Sequence, residues 1–206
     1  MQQLRLATLV AVLAVSIGVL APAAGRAKEA DAGAFLKSLS QTASEKLGGV
    51  ELSEAQKEQN FRAMFRSAFD VPAISRFVLG KYWRRASEVQ REDFMAAFEE
   101  LHMRRFLPLF AKYDEEAIAV LGISAEEAKP DLFRVSSRID RGEGEPLAVV
   151  WRIRDTGESY KVLDIVAEGV SMAISLRHEY GAVAKTHGLD SLLQQMRDKS
   201  AELAAE

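Results

Sequence analysis

Apolar positions recur about every 3.6 residues through the first half of the chain, every second residue after Asp114, and every 3.6 again near the end. From Asp31, a good helix cap, they fall at Phe35, Leu36, Leu39, Ala43 and Leu47 and stop at Gly48-Gly49, which predicts an amphipathic helix with a glycine end. Ser53-Glu54-Ala55-Gln56 is a capping box that opens a second helix, with Phe61, Met64, Phe65, Ala68 and Phe69 on its face. A short third helix is bounded by Asp70 as cap, Pro72 in the first turn and Gly80 at the end. Ile74, Phe77 and Val78 share one side of it, while Arg76, Lys81, Arg84 and Arg85 gather on or just beyond the other. Ser87-Glu88-Val89-Gln90 caps a long helix through Phe94, Ala97, Phe98, Leu101 and Phe106 towards Tyr113, which Pro108 is expected to bend or split near Arg104.

Four runs then read as strands: 117–123, 132–139, 147–153 and 160–166, separated by Gly, Pro, Asp and Glu clusters. Short connections imply an antiparallel meander. Leu147, Val149, Trp151 and Ile153 share one face of the third strand, with Ala148, Val150, Arg152 and Arg154 on the other. In the second strand Phe133, Val135, Ser137 and Ile139 oppose Leu132, Arg134, Ser136 and Arg138. Helices should cover the apolar face and water the arginine-rich one. Glu168-Gly169-Val170-Ser171 leads into two last helices, 172–184 and 189–203, split at His187-Gly188 and carrying Leu189, Leu192, Leu193 and Met196 as a packing stripe. The prediction is a single α+β domain: N-terminal helices, a four-stranded antiparallel sheet and C-terminal helices returning over it.

The N-terminus departs from this pattern. A short segment with one cation, Arg5, precedes an apolar run from Leu6 to Leu20 and small-residue cleavage sites at Ala21-Pro22-Ala23 and Gly25-Arg26-Ala27. Residues 1–27 therefore read as a cleavable secretory signal peptide, and 28–206 as the exported domain. Losing residues 1–27 removes Arg5 and Arg26 and leaves 25 basic against 30 acidic residues, a net charge of −5. That argues against nucleic acid as a partner. With no cysteines the chain has no disulfide, no thiolate metal site and no cysteine nucleophile.

Candidate chemistry is sparse. His102, His178 and His187 form no metal-ligand spacing, and each is expected at the surface or in a cap. There is no nucleophile elbow, phosphate-cradling loop or dinucleotide fingerprint. Asp164 stands mid-strand on the face assigned to Tyr160 and Val162; if buried it needs a partner, and an arginine is expected. It is also the one candidate base if the protein were an enzyme on an apolar substrate. What remains is an excess of aromatic and aliphatic residues, which could fill a core or line a cavity.

The stretch Phe69 to Ala86 with Phe94 resembles a known family in combination with four further segments. These are Val150-Trp151, Tyr160-Lys161-Val162-Leu163-Asp164, Glu168-Gly169-Val170-Ser171 continuing to Arg177, and Gly188 to Leu193. Together they resemble the MlaC, or toluene-tolerance, family of periplasmic lipid-binding proteins over nearly all of the exported chain. The resemblance implies an apolar cavity between sheet and helices that holds acyl chains, with no catalytic residues and no cofactor. It implies a phospholipid shuttle between an outer-membrane lipoprotein complex and an inner-membrane ABC transporter complex with its substrate-receiving domain, maintaining outer-membrane lipid asymmetry. Monomer is the default state for such a shuttle. A related branch is associated with hopanoid synthesis and transport, and Phe77-Val78-Leu79-Gly80-Lys81-Tyr82-Trp83 is compatible with it, so phospholipid and hopanoid both stand as ligands. The expected lining is drawn from Phe77, Val78, Tyr82, Trp83, Phe98, Val149, Trp151, Tyr160 and Val162, with Lys81, Arg84 and Arg85 near the entrance. An adaptor that binds periplasmic partners through its surface, with a filled core, is the remaining alternative.

Overall fold

The computed structural model describes residues 23–47, 52–110, 118–140 and 144–205. The expected signal peptide lies outside these residues as far as residue 22, as do the Gly48-Gly49 stop and Tyr113. Five helices come first: α1 (Ala23–Leu47), α2 (Glu54–Ala68), α3 (Val71–Leu79), α4 (Lys81–Arg85) and α5 (Glu88–Phe110). Strands β1 (Ile118–Glu126), β2 (Lys129–Ile139), β3 (Leu147–Asp155), β4 (Tyr160–Ala167) and β5 (Val170–Ser171) follow, then α6 (Met172–His187) and α7 (Leu189–Ala205). The fold is α+β, and its sheet is antiparallel in the order β1-β2-β3-β4-β5.

Most boundaries follow from local chemistry. Ser53 and Gln56 close the capping box of α2, and Ser87 and Gln90 that of α5. The Asp70 carboxylate accepts from the Ala73 N–H at 2.9 Å to cap α3. Three expectations need correction. The sheet has five strands, because Glu168 and Gly169 take positive φ values of 47° and 80° and turn Val170–Ser171 back onto Val166 and Ala167. α1 begins before Asp31, in alanine-rich sequence that favours helix. Pro108 does not split α5: it lies two residues before the end of the described helix, so the bond it withholds from the Arg104 carbonyl leaves the preceding turns intact.

Two apolar layers meet along β4. On one side α1 lays Ala32 and Leu36 over Phe133, Val135, Val149, Trp151, Ile153 and Val162, all buried. On the other, α2, α3, α5, α6 and α7 pack together through Phe65, Val78, Phe94, Phe98, Tyr180 and Leu193. Phe69 touches both clusters. The opposite sheet face carries the arginines as expected: Arg134 and Arg138 are exposed, while Arg152 and Arg154 pair with Glu126 and Asp70. Leu132 is the exception on that face, buried beside Arg154. Arg62 reaches Glu58 at 3.1 Å and Glu100 at 2.8 Å, and Arg104 reaches Glu100 at 2.6 Å, tying α2 to α5. Burial pushes the Glu100 carboxyl up, but the Arg62 hydrogen bond and the two guanidinium charges outweigh it and hold it below the usual carboxylate range.

Candidate functional site

The part of β4 that β5 leaves uncovered anchors the helices on either side of the site. Val162 forms a parallel bridge with Phe69, and its carbonyl accepts from the Asp70 N–H at 3.1 Å. The Lys161 ammonium donates to the carbonyls of Ser67 and Arg66, at the C-terminal end of α2, where cations are favoured. Asp70, pinned to the sheet by Arg154, therefore fixes the start of α3.

Asp164 does the same for α6. It is 6% exposed, and its two oxygens accept from the Ser171 hydroxyl at 2.6 Å and the Ala173 N–H at 2.9 Å. Its partner is thus a helix N-terminus and not the expected arginine. A bulge also changes its face: the register passes from Val162 opposite Ile153 to Asp164 opposite Arg152, so Leu163 is an extra residue, but Arg152 itself pairs with Glu126. Asp164→Ala removes both acceptors from a buried carboxylate and should cost about 3 kcal/mol, whereas Asp164→Asn should cost about 1 kcal/mol. Urea unfolding at neutral pH checks this, and an alanine variant as stable as the parent would refute the anchor.

With α3 and α6 both rooted on β4, a cavity of about 40 Å³ lies at their base. β4 lines it with Leu163, Asp164 and Ile165. Around them stand Phe65 and Phe69, Ile74 of α3, Phe98, His102 and Phe106 of α5, and Met172, Ala173 and Leu176 of α6. The rings are in contact: Phe65 stacks on Phe69 at 4.6 Å between centroids, and Phe98 on His102 at 4.0 Å.

His102 is not at the surface, as expected from sequence, but 2% exposed in this wall. Its Nδ1 lies 2.8 Å from the Phe98 carbonyl, which can only accept, so Nδ1 carries the proton. Nε2 has no hydrogen-bond partner among the described residues. Burial pushes the imidazole pKa down to about 4; the Phe98 carbonyl opposes this and the Arg105 charge adds to it.

Further along the same pair of helices lies a wider groove of about 410 Å³. Val78, Leu79, Gly80, Lys81 and Tyr82 form one bank, and Arg177, His178, Gly181, Ala182 and Lys185 the other. Gly80 is required here: its φ is +54°, and a Cβ would meet the Arg177 guanidinium at 2.7 Å. That guanidinium donates to the Phe77 carbonyl and lies 4.9 Å from the centre of the Phe77 ring.

The residues named from sequence fall in three places. Phe98 lines the cavity, and Val78, Tyr82 and Lys81 line the groove. Val149, Trp151, Val162 and the half-buried Tyr160 belong to the core under α1. Phe77 is 43% exposed, Trp83 is half-buried with Arg76 and Arg91 at 6.0 and 5.6 Å from its ring, and Arg84 and Arg85 are exposed on α4. Sequence reasoning missed His102 and the basic bank of Arg177, His178 and Lys185. The spacing of Phe98, His102 and Phe106, four residues apart each time, was the available signal for the first. Among the described residues no group of His, Asp or Glu side chains could hold a metal ion, and no helix is long and apolar enough to cross a membrane.

Comparison with known proteins bears on this arrangement. The fold superposes with a TM-score of 0.74 on a phospholipid-binding protein from Ralstonia solanacearum, solved in complex with a phospholipid, at 20% identity over 84% of this chain and 99% of that one. In sequence the chain is 25% identical over 130 residues to the intermembrane phospholipid transport system binding protein MlaC of Haemophilus influenzae, spanning 61% of this chain and 59% of that protein. It is 21% identical to the toluene tolerance protein ttg2D of Pseudomonas putida, over 72% of each. The family model described as MlaC protein matches residues 33–198, and on that extent the chain belongs to the MlaC family.

Proposed function

We propose that the protein is a periplasmic lipid carrier, exported by a cleaved signal peptide, that covers the acyl chains of a phospholipid while it passes between membranes. The observation that carries this reading is the apolar cavity at the seam of β4, α3, α5 and α6, with a basic groove further along the same helices. Each methylene removed from water is worth about 0.8 kcal/mol, so a bare 16-carbon chain in the periplasm would cost roughly 12 kcal/mol. A protein that supplies cover needs no catalytic group, and Asp164 serves the reading better as a helix anchor than as a base.

The cavity of about 40 Å³ is far below the roughly 300 Å³ at which ligand pockets begin, so α3 and α6 must swing away from α5 about their anchors on β4 to admit a chain. Phe98 would then meet the chain, Val78 and Tyr82 would lie nearer the mouth, and Lys81, Arg84 and Arg85 would stand with Arg177 and Lys185 near the head group. The partners of this proposal are an outer-membrane lipoprotein complex and an inner-membrane ABC transporter complex; the name of the Haemophilus relative supports the coarser point, that the family serves an intermembrane phospholipid transport system.

Native mass spectrometry of protein purified from its own periplasm without detergent tests the reading. One diacyl phospholipid per chain is expected. A hopanoid in its place would move the protein to the hopanoid-associated branch, and a ligand-free spectrum that persists after incubation with liposomes would overturn the carrier.

A further inference from the structure

We propose that His102 makes the cavity selective for a lipid bearing a hydroxyl on its apolar part, with Nε2 accepting that hydroxyl's hydrogen bond. The inference rests on the carrier reading and adds a ligand class to it. Its basis is a mismatch between the wall and a plain hydrocarbon. The imidazole lies within the apolar wall, stacked on Phe98 and 5.9 Å from Phe106, and is 2% exposed. The Nδ1 proton is committed to the Phe98 carbonyl, so in the neutral ring Nε2 is a bare lone pair. Among the described residues it has no partner, although Tyr180 approaches the ring edge-on at 6.5 Å between centroids with its own hydroxyl also unpartnered.

The other polar side chain in the cavity wall is already satisfied, since both Asp164 oxygens take protein donors. An acyl chain offers no donor to Nε2. An ammonium could donate but would bring an unpaired charge into an apolar wall. A hydroxyl is the neutral donor that remains. It could be carried in mid-chain or on the glycerol of a lysolipid; the depth of His102 favours the chain.

The test loads purified protein from vesicles containing equal amounts of dipalmitoyl phosphatidylglycerol and the same lipid with one mid-chain hydroxyl, and reads the bound ratio by native mass spectrometry. A hydrogen bond of ordinary strength predicts about fivefold enrichment of the hydroxylated lipid. Capping that hydroxyl as a methyl ether removes the donor and keeps the oxygen, so the wild-type protein should then lose the enrichment, a result independent of how any variant folds. His102→Phe should bring the ratio to one. A parallel vesicle carrying monopalmitoyl lysophosphatidylglycerol separates the sources: enrichment there that depends on His102 upholds the acceptor and places the hydroxyl on glycerol. No enrichment by the wild-type protein, as when water or a rotated Tyr180 hydroxyl satisfies Nε2, overturns the proposal, and so does an enrichment unchanged in His102→Phe. Failure to load any of these lipids would overturn the carrier reading itself.

Discussion

Trp151→Ala should lower the free energy of unfolding by about 4 kcal/mol and the midpoint of thermal unfolding by about 12 °C. The indole is 2% exposed on the inner face of β3, between Val135 of β2 and Ile165 of β4 in register, in the cluster that α1 closes with Ala32 and Leu36. Truncation empties the middle of that layer. It also strands the buried Ser137 hydroxyl, which accepts from the Trp151 Nε1–H at 2.9 Å and among the described residues otherwise makes only a long 3.4 Å bond to the Val149 carbonyl. Trp151→Phe separates the two effects: it keeps most of the ring, loses the N–H, and should cost about 1 kcal/mol. Because Ile165 lines the cavity beside this residue, the alanine variant should also retain less lipid in native mass spectrometry. Urea titration at neutral pH is the check, and a loss below about 2 kcal/mol would mean that the layer under α1 is not closely packed.

What could be read from the chain was whatever depends on near neighbours. The capping pairs Ser53–Gln56 and Ser87–Gln90, the Asp70 cap and the glycine end at Gly80 each involve residues within a turn, and strand periodicity placed Val149, Trp151 and Ile153 inside. Two failures had a local cause too small to carry a pattern. β5 is two residues long, and the single bulge residue Leu163 reverses the face on which Asp164 stands. The walls of the candidate site were legible only in part, for a different reason. Its cavity is made where β4 and four helices converge, so Phe98 and Leu176 meet in one wall, and Lys81 faces Arg177 across the neighbouring groove, only through the tertiary fold. Periodicity says which side of a helix is apolar, but not whether a second layer also covers its polar flank; α5 is covered that way by α6 and α7, and His102 goes inside with it.

That burial makes the protein's stability depend on pH. His102 should cost about 2 kcal/mol between pH 6.5 and pH 5, and about 3 kcal/mol by pH 4. In the unfolded chain the imidazole takes up its proton near 6.5, whereas in the fold, where desolvation opposes the charge, it does so only at about 4. Between those values the unfolded state holds more protons, so stability rises with pH and is lost as pH falls through the window. Below about pH 4 both states are protonated and this loss stops growing. The carboxylates held low by arginine or lysine, Glu100, Glu126 and Asp155, lose their contributions further down, below their ordinary values of 4.5, 4.5 and 3.8. The loss between pH 6.5 and 5 therefore belongs to His102. Urea midpoints at pH 7 and pH 5 should differ clearly in the wild-type protein and much less in His102→Phe, whose ring fills the same space without a proton to gain. Parallel behaviour of the two would show that the imidazole is not held neutral by the cavity wall, because a group that charges freely in the fold creates no difference in bound protons between folded and unfolded chains.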